Sequence, residues 1–221
     1  MRLPEEEMTM RARLSLAMLS LALVAAPALA GDAPVEPVQC AGIFGPDSSE
    51  SLLRDTFGDD NVVTGIVPGP EGTELLATTI FPDDPDRRME FGWFDEQNLA
   101  RLNYVELSPS QAGPQGVRIG MSVAEVEALN GQPFAVGGFW WDYGGYAIID
   151  DGALAGVLEG GCYLSIRFAP AEDYPQDIDV TPVAGEVQVP SADPLLATLD
   201  TRVQVLTIGY PWPEDLPQPQ Y

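Results

Sequence analysis

The stretch GPDSSESLLRDTFGDDNVV, residues 45–63, shares its pattern of residue types with the stretch IGMSVAEVEALNGQPFAV, residues 119–136. Each stretch has a serine before its first apolar positions and a glycine after its last: Ser49 and Gly58 in the first, Ser122 and Gly131 in the second. A serine at this place caps the first backbone N–H groups of a helix, and a glycine ends the helix in a left-handed conformation. The repeat therefore predicts two units that each begin with a helix of about two to three turns.

Strand-like runs follow each predicted helix at the spacing of β-hairpins. They are residues 61–67, 74–81, 88–94 and 100–107 in the first unit, and residues 133–143, 146–152, 162–169 and 202–210 in the second. Proline, glycine and aspartate separate the runs, which predicts antiparallel pairing of neighbouring strands. A segment rich in proline and acids, near residues 170–200, is expected to be an insertion with one short strand at GEVQV, residues 185–189.

The predicted fold is α+β, with two tandem units that each pack a short helix on an antiparallel four-stranded sheet. The first unit is expected to span residues 31–108 and the second residues 109–221. Because each helix covers only one face of its sheet, the other face is left for solvent, for the second unit or for a partner.

Residues 1–30 have the features of a secretory signal peptide. Arg11 and Arg13 precede a short apolar run, and that run ends at the small-residue cleavage site Ala28-Leu29-Ala30. Cleavage after Ala30 would release a periplasmic or secreted protein. No later segment of the sequence is apolar over the length that a membrane-spanning helix needs.

Two cysteines, Cys40 and Cys162, remain after the predicted cleavage. An oxidising compartment normally pairs such residues, so we predict that they form a disulfide. The alternative, a reactive thiol, needs a nearby cationic group to lower the pKa of the thiol, and the sequence has neither histidine nor lysine for that role.

The chain carries 34 acidic residues against 10 basic ones, which gives a net charge of −24. This charge repels nucleic acid and anionic lipid, so neither is expected as a partner. The charge leaves a cationic partner or Ca²⁺ open, and the alternative interpretation is an acidic surface that keeps the protein soluble in a salty habitat. The absence of histidine and lysine excludes Ser-His-Asp and Cys-His catalysis, histidine zinc sites and Schiff-base chemistry. No organic cofactor is expected.

The stretch GMSVAEVEALNGQP, residues 120–133, resembles the helix-and-turn signature GM(T/S)xxEVxxxxGxP of the exported BamE (SmpA/OmlA) family. The plan of two helix-plus-sheet units also resembles that of the β-lactamase inhibitor protein. The resemblance implies an exported domain that binds another protein and catalyses nothing. The chain departs from the BamE pattern because the unit is duplicated and because Cys40 lies well past the apolar run, where no lipidation is expected.

The stretch NGQPFAVGGFWWDYGG, residues 130–145, concentrates aromatic residues around one aspartate. If residues 139–143 form a strand, alternation places Phe139, Trp141 and Tyr143 on one face and Trp140 and Asp142 on the other. We expect Trp141 to be mostly buried and at least one of Trp140 and Tyr143 to be more exposed. The aromatics serve either core packing or a partner surface, and the candidate binding residues are Trp140, Tyr143, Tyr146, Asp142 and Trp93.

Carboxylates leave two further possibilities open. A glycoside hydrolase could use paired acids, with Asp142, Asp150 and Asp151 as candidates beside aromatics that stack on sugars. Calcium could bind at the acidic turns of residues 57–61 and 81–86, although neither has EF-hand spacing, so no metal ligand is assigned. The leading hypothesis is an exported non-enzymatic protein that binds another macromolecule. The alternative is a carboxylate-dependent glycoside hydrolase that acts on envelope polysaccharide.

Overall fold

The computed structural model describes residues 35–69 and 72–217, so the predicted signal peptide at residues 1–30 lies outside the described residues. The α-helices in this part of the chain are α1 (Glu50–Phe57), α2 (Val123–Asn130) and α3 (Pro194–Thr198). The strands are β1 (Val62–Pro68), β2 (Glu74–Ile80), β3 (Met89–Asp95), β4 (Ala100–Glu106), β5 (Ala135–Gly137), β6 (Ala147–Ile148), β7 (Tyr163–Ala169), β8 (Gln188–Pro190) and β9 (Arg202–Gly209).

The helix boundaries predicted from the repeat are confirmed at both copies. The Ser49 side chain accepts a hydrogen bond from the backbone N–H of Leu52 at the start of α1, and Gly58 follows the last residue of that helix. Ser122 and Glu125 form a reciprocal capping box at the start of α2. Gly131 ends α2 with a φ of 74°, a left-handed conformation that suits glycine.

The α+β class is confirmed, and the strands form two sheets. A six-stranded antiparallel sheet has the order β1-β2-β3-β4-β9-β7, and a three-stranded sheet has the order β6-β5-β8. The prediction of one four-stranded sheet per unit is not confirmed. Strands β4 and β9 pair with each other, from Tyr104 opposite Gly209 to Glu106 opposite Thr207, and this pairing joins strands of both predicted units in one sheet.

Of the four strands predicted for the second unit, only those at β7 and β9 lie in the large sheet. The first two strands predicted for that unit are much shorter in the structure: β5 has three residues and β6 has two. A single bridge between Tyr146 and Arg167 links the β6 end of the small sheet to β7. The predicted strand in the insertion is confirmed as β8, which pairs with β5.

The hydrophobic core lies on the face of the six-stranded sheet that α1 covers. Alternate residues of each strand point into it, as strand geometry requires. The largest fully buried side chains include Leu53 of α1 and, from the strands, Ile80, Phe91, Leu102, Ile166, Phe168, Leu206 and Ile208. The predicted disulfide is present between Cys40 and Cys162, and both cysteines are buried.

The prediction of a strand at residues 139–143 is wrong. Strand β5 ends at Gly137, and the chain then turns, with Trp140 at a φ of 62°. Gly138 allows the backbone of Gly185 to approach closely here, since a Cβ on Gly138 would overlap the carbonyl oxygen of Gly185. The expected contrast in exposure is nevertheless confirmed: Trp141 is partly buried, whereas Trp140 and Tyr143 are 51% and 49% exposed.

Among the residues that the structure describes, no helix has both the length and the apolar character to cross a membrane.

Candidate functional site

One face of the six-stranded sheet, which we call the open face, is not covered by any helix in the part of the chain that the structure describes. It is formed by the residues of each strand that alternate with the core residues. A groove of about 580 Å³ runs along this face and is lined by Glu90, Tyr104, Glu106, Tyr143, Tyr146 and Tyr163, among others. The groove therefore combines aromatic rings with carboxylates.

Two of these tyrosines lie over glycines of the neighbouring strands. A Cβ at Gly92 would overlap the ring of Tyr104, and a Cβ at Gly209 would overlap the ring of Tyr163. In the strand register, Gly92 lies opposite Tyr104, and Gly209 lies between Tyr104 and Tyr163. Glycines at these positions therefore let both rings lie against the sheet as part of the groove floor.

Two carboxylates face each other across β3 and β4, because Glu90 and Glu106 are directly paired residues. Glu90 accepts a hydrogen bond from the Tyr104 hydroxyl at 3.0 Å and pairs with the Arg88 guanidinium at 2.9 Å. Within the described part of the chain, the Glu106 carboxylate has neither a hydrogen bond nor an ion pair. Burial raises the pKa of Glu106, and the charge of Glu90 raises it further, against a smaller opposing effect of Arg88.

Replacing Glu106 with glutamine is expected to raise the melting temperature at pH 7. The folded protein binds the Glu106 proton more tightly than the unfolded chain does, so stability falls as the pH rises through the folded-state pKa. Glutamine resembles the protonated form at every pH. The gain in melting temperature should therefore disappear below pH 4.5, the ordinary pKa of glutamate, where wild-type Glu106 is protonated in both the folded and the unfolded state.

Thermal melting of wild type and Glu106→Gln at pH 4 and pH 7 measures this difference. Asp150→Asn is the matched control, because it removes the same charge from an exposed position outside the groove. A melting temperature that rises equally in both variants at pH 7 would show a general relief of the net negative charge instead.

An aromatic loop, residues 138–146, forms one side of the groove. The Arg167 side chain on β7 donates hydrogen bonds to the backbone carbonyls of Gly144 at 2.9 Å and Asp142 at 3.1 Å. Its guanidinium carbon also lies 5.2 Å from the centre of the Tyr146 ring. Gly145 packs directly on the backbone of Phe168, where a Cβ would overlap the Phe168 carbonyl oxygen. Arg167 and this glycine thus fix the loop beside the sheet.

Three of the five predicted binding residues lie together at the groove: Asp142, Tyr143 and Tyr146. Tyr143 is 49% exposed and Tyr146 is 40% exposed. Trp140 is also exposed, but its ring lies beside Tyr174, with the ring centres 5.9 Å apart, in a smaller depression of about 370 Å³. The structure therefore separates Trp140 from the other three.

Trp93 is a correction to the predicted set, because its side chain is buried in the core and only 3% exposed. Strand alternation places it on the covered face of β3, together with Met89 and Phe91. Its indole N–H donates a hydrogen bond to the Thr78 hydroxyl at 3.0 Å, which satisfies the polar group of this buried ring. It cannot contact a partner on the open face.

The other acidic candidates lie away from the groove. Asp150 and Asp151 are exposed and do not line it. At the acidic turns, Asp84 pairs with Arg87 at 2.6 Å and Asp59 with Arg54 at 3.4 Å. No group of three or more carboxylates or cysteines among the described residues could hold a metal ion.

The sequence interpretation missed most of the groove floor: Glu90, Tyr104, Glu106, Tyr163 and Arg167. The signal was present as strand alternation, since each of these polar or aromatic residues alternates with buried apolar ones. These residues lie in one groove only because β4 pairs with β9 and β9 pairs with β7, which joins strands from both halves of the chain.

Comparison of the chain with protein-family models, with curated proteins and with solved structures finds no match.

Proposed function

We propose that this protein is exported and non-enzymatic and binds a protein partner through the open face of its six-stranded sheet. The observation that carries the proposal is the groove itself, which four tyrosines line on a side of the sheet that no helix of the described residues covers. Aromatic side chains grouped on an uncovered face favour an interaction surface, because tyrosine is enriched at protein interfaces relative to the rest of the surface.

Tyrosine suits this role for physical reasons. Its ring supplies a large apolar contact area at a low cost in side-chain entropy, and its hydroxyl still hydrogen-bonds at a wet interface. Tyr143, Tyr146 and Tyr163 are all exposed, and their elements are fixed by the Arg167 contacts and by the β7–β9 pairing. A surface that is already ordered loses little entropy when a partner binds.

The tandem plan remains part of the proposal, and two features support it. In the first unit, the helix-capping Ser49 bridges Ala100 at the start of β4, and in the second, Ser122 bridges Arg202 at the start of β9. The pairing of β3 with β4 and that of β7 with β9 also both contain an irregularity of register, between Gly92 and Trp93 in β3 and between Arg167 and Phe168 in β7. A duplicated unit of the BamE and inhibitor-protein type would place both halves around the paired strands β4 and β9.

Export is proposed on two grounds. One is the signal-peptide pattern of residues 1–30, and the other is the disulfide between Cys40 and Cys162. Disulfides persist in oxidising compartments and are rare in the cytosol, so the bridge favours a periplasmic or secreted location.

Site-specific photo-cross-linking in cells tests the proposed surface. A photoreactive phenylalanine analogue replaces Tyr143 or Tyr163 on the open face, or Val157 as a control that is 70% exposed and outside the groove. We expect one protein to be cross-linked from both tyrosine positions and not from Val157. Equal cross-linking from all three positions, or none from the tyrosines, would contradict the proposal.

The glycoside hydrolase alternative is favoured by one observation, the pairing of Glu90 and Glu106 in the groove. Directly paired residues of antiparallel strands have Cβ atoms about 4.5 to 5.5 Å apart, so two carboxylates could flank a glycosidic bond. Incubation with cell-wall polysaccharide measures this activity as newly released reducing ends. Hydrolysis that Glu106→Gln abolishes, while Asp150→Asn retains it, would establish the enzyme instead of the binder.

A further inference from the structure

On the open face, the arginines that lie near Glu106 are bound to other groups. Arg88 is engaged by Glu90, at 2.9 Å. Arg167 is turned to the carbonyl groups of the aromatic loop. Glu106 therefore lies in the groove opposite a second carboxylate and without a cation of its own among the described residues. A partly buried carboxylate in this setting is stabilised by any cation that enters the groove.

The aromatic rings that line the same groove as Glu106 suit the same kind of group. Tyr104, two residues before it on β4, lies against Gly92 and lines the groove, and Tyr163 lines it from β7. The faces of such rings attract cations, more so where water is excluded. The groove volume of about 580 Å³ also exceeds what one extended side chain needs, so a side chain can enter it together with part of its backbone.

We propose that the partner inserts an arginine side chain into the groove, with its guanidinium against Glu106 and between the rings of Tyr104 and Tyr163. Arginine fits better than lysine because its planar group pairs with a carboxylate through two hydrogen bonds and stacks on an aromatic ring at once. The protein's net charge of −24 also draws a partner with a basic surface. This inference rests on the proposed function and names the group of the partner that anchors the complex.

The probe is N-acetyl-arginine methylamide, titrated into the isotopically labelled protein and followed by amide chemical shifts. N-acetyl-citrulline methylamide is the matched control, because it has nearly the same shape without the charge. We expect saturable shifts at residues 104–106 and 207 with the arginine probe and much weaker ones with the citrulline probe. Glu106→Gln should weaken the arginine probe by about tenfold, the usual effect of losing a charged hydrogen bond.

Asp150→Asn removes the same charge outside the groove and should bind the arginine probe as wild type does. The inference is overturned if the arginine probe gives no saturable shift, if citrulline binds equally well, or if Glu106→Gln has no effect. A lysine probe that binds more tightly than arginine would also overturn it.

Binding of the cross-linked partner to two variants, Glu106→Gln and Tyr143→Ala, distinguishes a failure of this inference from a failure of the proposed function. If Glu106→Gln binds that partner as tightly as wild type while Tyr143→Ala does not, the arginine anchor is wrong and the binding surface stands. If neither variant weakens the partner, the proposed function fails with it.

Discussion

Replacing Cys40 and Cys162 together by serine is expected to lower the free energy of unfolding by about 5 kcal/mol, if the loss of chain entropy dominates. The disulfide joins residues 122 positions apart, so it removes many conformations from the unfolded chain. It also ties the segment before α1 to the residue that precedes β7. Urea denaturation of the wild type and the double variant, under oxidising conditions, measures the difference.

The control is the wild type under strong reduction, which removes the bond but keeps the side-chain volume of both buried cysteines. Similar losses in the reduced protein and in the double-serine variant would assign the effect to the covalent link. A loss below about 1 kcal/mol in both would contradict a stabilising role for the disulfide.

Replacing Trp93 with alanine is expected to cost about 3 to 5 kcal/mol, as for other large aromatics removed from cores. The ring is 3% exposed and stacks near Phe91, with the ring centres 6.2 Å apart. Its loss also leaves the Thr78 hydroxyl without the indole donor. Chemical denaturation measures the change in the free energy of unfolding.

Trp140→Ala is the matched control for Trp93→Ala, because it removes the same side chain from a position that is 51% exposed. It should cost about half as much as Trp93→Ala, since about half of the Trp140 side chain is already in contact with water. Equal losses in the two variants would contradict the assignment of Trp93 to the core.

Local patterns in the sequence predicted the local structure well. The ends of α1 and α2, marked by a serine and a glycine, and the six longer strands were predicted correctly. Helix capping and strand alternation depend on residues close together in the sequence, so short stretches carry these signals. The disulfide followed from the presence of only two cysteines. The prediction of a strand at residues 139–143 failed for a local reason as well. The glycine pairs at residues 137–138 and 144–145 allow a tight turn in place of a strand.

The arrangement of the sheets could not be predicted in the same way. The pairing of β4 with β9 joins residues about a hundred positions apart, and the sequence of neither strand specifies which strand it pairs with. The groove depends on that pairing, since Tyr104 and Glu106 come from β4 while Tyr163 and Arg167 come from β7. Sequence alternation could place each residue on a face, but only the strand order brings these faces together.

The affinity of the cross-linked partner for the Tyr143→Ala variant tests the proposed binding surface most directly. Calorimetric titration should show a loss of about 2 kcal/mol, roughly 30-fold in affinity, with a melting temperature close to that of the wild type. Val157→Ala, which truncates an exposed side chain outside the groove, should bind as the wild type does. Equal affinities for the wild type, Tyr143→Ala and Val157→Ala would contradict the proposal that the open face is the binding surface.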